Sequence, residues 1–273
     1  MTKYKIINNR NCISGGNGAN GANGANGANR ANGANGTNNK TMFNTGIKYK
    51  TDKLTHHGYH RFYDFFLYPL KNKTFTFFEI GVDAGRSLKM WNDYFTNAKI
   101  YGMDIDHEYV HIKGKVFKGD QSKIKDLDKI INEIKTCDFI IDDGSHVPEH
   151  QLLTFNHLFD KLLNFGGIYI IEDIETSYWK KSELYGYEID SGYEKKNNIV
   201  EIFKNITDIV NSEFLSEKNI NTIKKFNKIN FNNLKYISFI MFGQNCIIIK
   251  KMSLQEYEKY GKRKYRFIDN LHS

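Results

Sequence analysis

Short apolar runs alternate with amphipathic segments through most of the chain. The runs predict seven β-strands, over residues 75–80, 99–105, 116–118, 137–141, 167–171, 236–242 and 246–249. Segments with helical spacing follow several of these runs, over residues 88–95, 124–134, 147–163 and 199–214. This βαβ alternation predicts an α/β domain with a mostly parallel sheet, and the turn at residues 243–245 predicts an antiparallel hairpin that closes it.

Carboxylates stand directly after two of the predicted strands. The fourth strand runs into DDGSH at residues 142–146, and the fifth runs into ED at residues 172–173. Neighbouring parallel strands lie about 4.8 Å apart. If these two strands are neighbours, Asp143, Glu172 and Asp173 are expected to converge on one cation, with His146 beside it. Taken singly, capping or ion pairing explains the carboxylates and a loop hydrogen bond explains His146, but their joint placement favours chemistry.

A glycine-containing turn, IGVDAGRS at residues 80–87, follows the first predicted strand. Such a turn lets the backbone approach a ligand closely, although any tight strand-to-helix junction has the same need. The second strand ends at Asp104, about 20 residues further on, where an acidic side chain accepts hydrogen bonds from a ribose diol. After the third strand, Asp120 either caps the next helix, a role for which Ser122 is better placed, or lies beside an adenine.

The segment before the first strand is rich in histidine and aromatic residues. It contains TDK at residues 51–53 and then HHGYH at residues 56–60. Because these histidines lack a partnered Cys or Glu at helical spacing, aromatic packing explains them better than a zinc site does. The functional alternative is a lid whose polar groups close over a ligand.

Composition limits the class of protein. The 273 residues are 40% hydrophobic, enough for one domain with additions, and no apolar run approaches the roughly 20 residues that span a bilayer. We expect no secretory signal, and the scattered Cys12, Cys137 and Cys246 favour a reducing, cytoplasmic location over a disulfide framework. The net charge of +8 suits an anionic ligand, but the lysines are dispersed among carboxylates, which favours a solvated surface over nucleic-acid binding.

The N-terminal region has a different composition from the rest. Residues 15–36 repeat Gly-Ala-Asn, interrupted once by Arg30 and without proline. This composition cannot offset the entropy of ordering, so residues 1–40 are predicted to be a disordered tail and residues 41–273 a single domain.

Five motifs together resemble a known family. They are FFEIGVDAGRSLKMW, YGMDID, GDQS, DDGSH and GGIYIIEDIETSYW. With a parallel sheet finished by a C-terminal hairpin, they resemble the Rossmann-like class I S-adenosylmethionine-dependent methyltransferases, with a seven-stranded sheet. More narrowly, residues 51–250 resemble the macrocin and mycinamicin sugar O-methyltransferases.

The resemblance implies a magnesium-dependent transfer of a methyl group from S-adenosylmethionine to a sugar hydroxyl. Both S-adenosylmethionine and Mg²⁺ would be bound, and the acceptor would be a small-molecule sugar or nucleotide-linked deoxy or amino sugar. Homo-oligomerisation stays open. The implied cofactor-binding residues are Lys53, Glu79, Gly81, Ser87, Asp104, Asp120, Gln121 and Asp142. The implied metal ligands are Asp143, Glu172 and Asp173, and His146 is implied as the general base.

Two other functions fit the same pattern less well. A nucleic-acid methyltransferase would share the cofactor fold and use the positive charge, but we find no basic stripe with interleaved aromatic residues beside the predicted site. A non-catalytic binding or assembly protein would keep the fold and use the Gly-Ala-Asn tail for attachment. The carboxylates and His146 argue against that second alternative.

Overall fold

A computed structural model describes residues 40–106, 111–181, 191–226 and 234–261 of the chain. The predicted tail, except for Lys40, and most of the Tyr- and Gly-rich stretch at residues 182–193 lie outside the described residues.

The described residues form one seven-stranded sheet. Its strands are Thr76–Ile80 (β1), Lys99–Asp104 (β2), Gly114–Lys118 (β3), Cys137–Asp142 (β4), Leu163–Glu172 (β5), Ile237–Gly243 (β6) and Cys246–Lys251 (β7). Their order is β3-β2-β1-β4-β5-β7-β6, with the first five parallel and β7 antiparallel to both β5 and β6. The predicted sheet with its C-terminal antiparallel hairpin is therefore confirmed.

Helices cover both faces of the sheet. The α-helices are Met42–Tyr49 (α1), Asp52–Thr55 (α2), His60–Leu67 (α3), Arg86–Tyr94 (α4), Ile124–Ile134 (α5), Pro148–Lys161 (α6), Ile199–Val210 (α7) and Glu217–Phe226 (α8), with a short turn at Leu254–Glu256. Other helical turns are Tyr68–Leu70, Ile174–Tyr178, Ser212–Phe214 and Tyr257–Gly261. Successive strand residues point to opposite faces, so Phe77 packs with α1 to α4 and Phe78 packs with α5 to α7.

Two predicted boundaries are wrong at the entry to β5. The helix predicted over residues 147–163 ends at Lys161, and the strand predicted to start at residue 167 begins at Leu163. The pairing of β4 with β5 shifts register, so that Leu163 pairs with Cys137 and Ile168 pairs with Phe139. Because of this shift in register, β5 begins before Gly166 and includes it.

The helix predicted over residues 199–214 is also shorter than expected. It ends at Val210 and is followed by a separate turn at Ser212–Phe214. Asn198 caps its start by accepting a hydrogen bond from the Glu201 amide at 2.7 Å.

The strand order brings the predicted functional residues to one edge. The chain reverses its direction of winding between β1 and β4, and ligands of open α/β sheets bind at the carboxyl ends of the strands beside such a point. The carboxyl ends of β1, β2, β4 and β5 meet there. Among the described helices, none combines the length and the apolar character needed to cross a bilayer.

Candidate active site

A glycine at the end of β1 allows a close approach to the end of β4. Gly81 follows β1 with φ +87°, and a Cβ atom built on it would lie 1.8 Å from the backbone oxygen of Asp143. The Asp143 amide also donates to the Ile80 carbonyl at 2.9 Å. Only glycine combines this backbone conformation with this close approach, which supports the predicted ligand-binding turn.

Gly81→Ala is expected to destabilise the protein more than Gly166→Ala does. Both glycines have positive φ, but a Cβ atom at Gly166 meets nothing closer than 3.8 Å. The left-handed backbone alone costs about 1–2 kcal/mol for alanine, and the overlap at Gly81 adds about 1–3 kcal/mol. Urea unfolding measures the difference. Equal losses of unfolding free energy would contradict the close approach.

Two adjoining cavities lie at this edge of the sheet. Their volumes are about 470 Å³ and about 560 Å³, and they share linings from Gly81, Asp104, Gly144 and His146. Asp120 and Gln121 line only the first, whereas Ser87, Asp143 and Asp173 line only the second. Asp120 and Gln121, predicted for the adenine side, and Ser87, predicted for the methionine side, thus line different cavities that share Asp104.

Backbone amides orient the carboxylate of Asp104. Its Oδ2 accepts from the amides of Val82 at 2.7 Å and Asp83 at 3.0 Å, and its Oδ1 accepts from the Asp106 amide at 3.0 Å. The carboxylate therefore stands in a fixed orientation where the two cavities meet, as expected for a group that accepts hydrogen bonds from a ribose.

The loop after β3 supports the first cavity. Asp120 accepts from the amide and the hydroxyl of Ser122, at 2.8 Å and 2.7 Å. The expectation that Ser122 caps α5 is wrong, because Lys123 stands at the N-cap without a side-chain bond. His150 also lines this cavity and was not predicted, although it lies four residues after His146 in the first turn of α6.

Asp142 lies beneath the cavities and lines neither of them. Its Oδ1 accepts from Gln121 Nε2 at 3.0 Å, and its Oδ2 accepts from the Tyr169 hydroxyl at 3.4 Å. Burial raises the pKa of Asp142 to about 7, against the opposing effects of Gln121 and His146. Its predicted contact with a cofactor stays a prediction, but its contact with Gln121 fixes a side chain that does line the first cavity.

Lys53 lies at the centre of a buried acidic cluster. Its Nζ contacts Asp143, lies 2.6 Å from Glu172 Oε2 and lies 3.0 Å from Glu79 Oε1. Burial alone would lower the pKa of Lys53, but the three carboxylates outweigh burial and hold it well above its ordinary value. One ammonium therefore balances three carboxylates, and the remaining acidity suits a cationic ligand.

Glu79 and Glu172 form hydrogen bonds with buried side chains. Glu79 Oε2 accepts from Trp91 Nε1 at 3.0 Å, and Glu172 Oε1 accepts from the Tyr63 hydroxyl. Burial raises the pKa of both carboxyls, and the Lys53 ammonium opposes it. Neither residue lines the two cavities, so their predicted roles as ligands of the cofactor and of the metal stay predictions.

Asp143, His146 and Asp173 face one another at the strand ends. Each offers one ligand atom, and these atoms lie within 4.8 Å of one another. His146 Nε2 lies 3.8 Å from Asp173 Oδ2. The chemistry of this donor set fits a divalent cation, since two carboxylates supply the oxygen ligands that magnesium prefers. Of the predicted metal ligands, the structure therefore brings Asp143 and Asp173 together with His146. Glu172 lies outside this group and contacts Lys53, whose ammonium also contacts Asp143.

Two of these residues have left-handed backbones. The φ angle is +58° at His146 and +51° at Asp173. Such conformations cost of order 1 kcal/mol or more in residues other than glycine and are concentrated at functional sites. The Thr176 hydroxyl donates to the His146 carbonyl at 2.7 Å, which helps to hold the first of them.

The N-terminal segment packs against this edge, as the predicted lid requires. Thr51, Asp52, His56 and His57 line the second cavity. The Tyr59 hydroxyl donates to Asp173 Oδ1 at 2.7 Å. The sequence placed this segment before the sheet, but only the fold reveals that Tyr59 contacts Asp173 and that Lys53 contacts Glu172.

Comparisons with known proteins show what the chain is similar to. No protein-family model matches the chain. Over 142 residues, 49% of the chain, it is 36% identical to the 8-demethyl-8-alpha-L-rhamnosyl tetracenomycin-C 2'-O-methyltransferase of Streptomyces olivaceus. Over 132 residues, 45% of the chain, it is 36% identical to the mycinamicin VI 2''-O-methyltransferase of Micromonospora griseorubida.

The matches cover only part of the relatives. They span 37% and 33% of the two curated relatives' own lengths, so the chain matches only about a third of each. A crystal structure of MycE, a methyltransferase of the mycinamycin biosynthetic pathway in complex with Mg and SAH, is 25% identical. It has a TM-score of 0.66, and the match covers 78% of this chain and 54% of that one. The described residues therefore have the class I S-adenosylmethionine-dependent methyltransferase fold, and the chain resembles the sugar O-methyltransferases of the mycinamicin and macrocin family.

Proposed function

We propose that the protein transfers a methyl group from S-adenosylmethionine to a hydroxyl of a sugar, with magnesium bound beside the acceptor. The observation that carries this proposal is the placement of Asp143, His146 and Asp173 around one point at the strand ends. His146, one of these three residues, lines both cavities.

The cofactor would extend across the two cavities. Gly81 allows its close approach, Asp104 accepts from its ribose, and Gln121 with Asp120 lies on its adenine side. Ser87, near the start of α4, lines the opposite cavity, where helix amides favour a carboxylate such as that of the methionine portion. This division supports five of the cofactor-binding residues expected from the resemblance, namely Gly81, Ser87, Asp104, Asp120 and Gln121.

Asp143 and Asp173 would hold the metal. A bound magnesium ion would orient the acceptor and make its hydroxyl more acidic. Glu172, the third predicted ligand, accepts from Lys53 and Tyr63 in this structure. We expect Glu172 to coordinate the metal only if the Lys53 ammonium moves away from it.

His146 would remove the proton of the reacting hydroxyl. Its side chain is largely buried, and Nε2 points towards Asp173, next to the proposed metal. Methyl transfer requires the acceptor oxygen in line with the methyl group and a base within hydrogen-bonding reach. The imidazole at this position would be the base that meets the second requirement.

The acceptor would enter through a third cavity. It has a volume of about 670 Å³ and shares His56, His57 and Glu175 with the second cavity. Tyr178 and Gln244 also line it, which provides an aromatic face and amide groups of the kind that suit a sugar. The first relative's name gives a rhamnosyl group on tetracenomycin-C, which favours a deoxy sugar carried by a larger small molecule as the acceptor. A nucleotide-linked sugar is a second candidate acceptor.

Binding and turnover measurements test the proposal. Calorimetry should detect S-adenosylhomocysteine binding, and a mass-spectrometric screen of glycosides and nucleotide sugars should find a product heavier by one methyl group. EDTA should abolish turnover, and Mg²⁺ should restore it. Asp143→Asn should weaken the response to Mg²⁺ while S-adenosylhomocysteine still binds. Failure of the wild-type protein to bind S-adenosylhomocysteine would reject the proposal.

A further inference from the structure

We propose that Asn245, in the turn between β6 and β7, is a positioning residue for the metal ligand Asp173. This inference rests on the proposed function, because it concerns the same metal site. Asn245 belongs to none of the motifs that resemble the methyltransferases, and the sequence indicated only that its turn closes the hairpin.

The sheet brings the Asn245 turn to the end of β5. Cys246 pairs with Glu172, so the residue before one strand lies beside the residue after the other. The Asn245 side chain uses both ends of its amide there. Its Nδ2 donates to Asp173 Oδ1 at 3.0 Å, and its Oδ1 accepts from the Glu175 amide at 2.9 Å. Asn245 therefore contacts the Asp173 carboxylate and also the turn that follows it.

The two oxygens of Asp173 have different surroundings. Oδ1 accepts from Asn245 Nδ2 and from the Tyr59 hydroxyl, at 3.0 Å and 2.7 Å. Oδ2 faces His146 Nε2 at 3.8 Å, on the side of the proposed metal. We call Asn245 and Tyr59 the Asp173 clamp. Because the clamp engages Oδ1, it fixes the rotation of the carboxylate with Oδ2 directed towards the cation.

The clamp also preserves the charge of the ligand. An amide and a phenol are neutral, whereas the neighbouring Glu172 pairs with the Lys53 ammonium. Because neither member of the clamp is a cation, the clamp orients the carboxylate without neutralising it, and partners of this kind typically contribute 10–100-fold to metal affinity. The clamp thus distinguishes Asp173 from Glu172 as a ligand.

Asparagine suits this position for two reasons. Its φ angle is +61°, a left-handed conformation that asparagine tolerates better than most residues. Its backbone carbonyl oxygen lies 3.1 Å from the Tyr59 hydroxyl oxygen, so the two members of the clamp contact each other. Gln244, the preceding residue, instead accepts from the Arg61 guanidinium at 3.0 Å and offers a matched control.

Manganese binding tests the inference without turnover. Mn²⁺ is titrated into the full chain with S-adenosylhomocysteine present, and free Mn²⁺ is followed by electron paramagnetic resonance. Asn245→Gly keeps the left-handed turn but removes the amide, and we expect it to weaken Mn²⁺ binding about 10–100-fold. Gln244→Ala should bind Mn²⁺ like the wild type, and both variants should bind S-adenosylhomocysteine normally.

A second variant covers misfolding of the first. Tyr59→Phe removes the other donor to Oδ1 while keeping the buried ring, and we expect it also to weaken Mn²⁺ binding. For Asn245→Gly and Tyr59→Phe, saturating Mg²⁺ should restore most of the turnover, which a general loss of structure would not allow. If the wild type binds Mn²⁺ and the folded variants bind it equally well, the positioning role is wrong. If the wild type binds no Mn²⁺, the proposed metal site fails, and the inference fails with it.

Discussion

Replacing His146 by asparagine is expected to lower the rate of methyl transfer by about 10²–10⁴-fold, the usual contribution of a positioned general base. Asparagine is preferred to alanine because it tolerates the left-handed backbone, with φ +58°, at this residue. The hydrogen bond from the Thr176 hydroxyl to the backbone carbonyl of residue 146 should also survive. The measurement is single-turnover methyl transfer at saturating cofactor and Mg²⁺.

The His146→Asn variant should keep its affinity for S-adenosylhomocysteine and for Mn²⁺, and added imidazole should restore part of its rate. His157→Asn is a matched control, because His157 pairs with Asp128 at 2.7 Å and lines neither cavity. A variant with full rate would remove His146 from the mechanism. A loss of Mn²⁺ affinity as large as that of Asp143→Asn would instead make His146 a metal ligand.

The sequence predicted the sheet and the edge at which the site lies. Its strongest signals were local, since the apolar runs before Asp143 and Asp173 end in carboxylates at the strand ends. Parallel pairing of β4 with β5 then brings those ends together without further information. The glycine at residue 81 was predictable for the same reason, because a strand-to-helix turn beside a ligand requires a close backbone approach.

The partners of the carboxylates could not be predicted in this way. Lys53 and Glu172 are 119 residues apart in the chain, and Tyr59 and Asp173 are 114 apart. No periodicity connects residues at such separations. Considered alone, the sequence of the N-terminal segment predicts aromatic packing. The same limit applies to Glu172. Its position at the end of a strand predicts a metal ligand, whereas its carboxylate in the structure accepts from Lys53.

The interaction of Lys53 with its carboxylates leads to the largest expected effect on stability. Lys53→Met should lower the free energy of unfolding by about 3–5 kcal/mol, because it leaves buried carboxylates without a counter-charge. Urea denaturation in EDTA measures this, and the EDTA prevents a divalent cation from replacing the ammonium. Trp91, which donates to Glu79, gives a fluorescence signal from within the cluster.

The loss caused by Lys53→Met should depend on pH with a definite sign. Burial raises the pKa of Glu79 and Glu172 above the ordinary value, with Lys53 opposing it. A raised pKa means that the stabilising contribution of the carboxyl is complete below its ordinary pKa and is lost as the pH rises through the folded-state pKa. Without the ammonium both pKa values rise further, so the variant should be weakest at alkaline pH and should regain stability as the pH falls.

A second substitution separates this electrostatic effect from lost packing. Glu172→Gln removes one buried charge but keeps an oxygen that can accept from the Tyr63 hydroxyl. In the Lys53→Met background it should restore part of the unfolding free energy at alkaline pH, so that the double variant is more stable than the sum of the single losses predicts. Additive losses, or a Lys53→Met variant whose stability does not change with pH relative to the wild type, would show that Lys53 acts by filling space. In that case the acidity of the strand ends would have to be balanced by other groups.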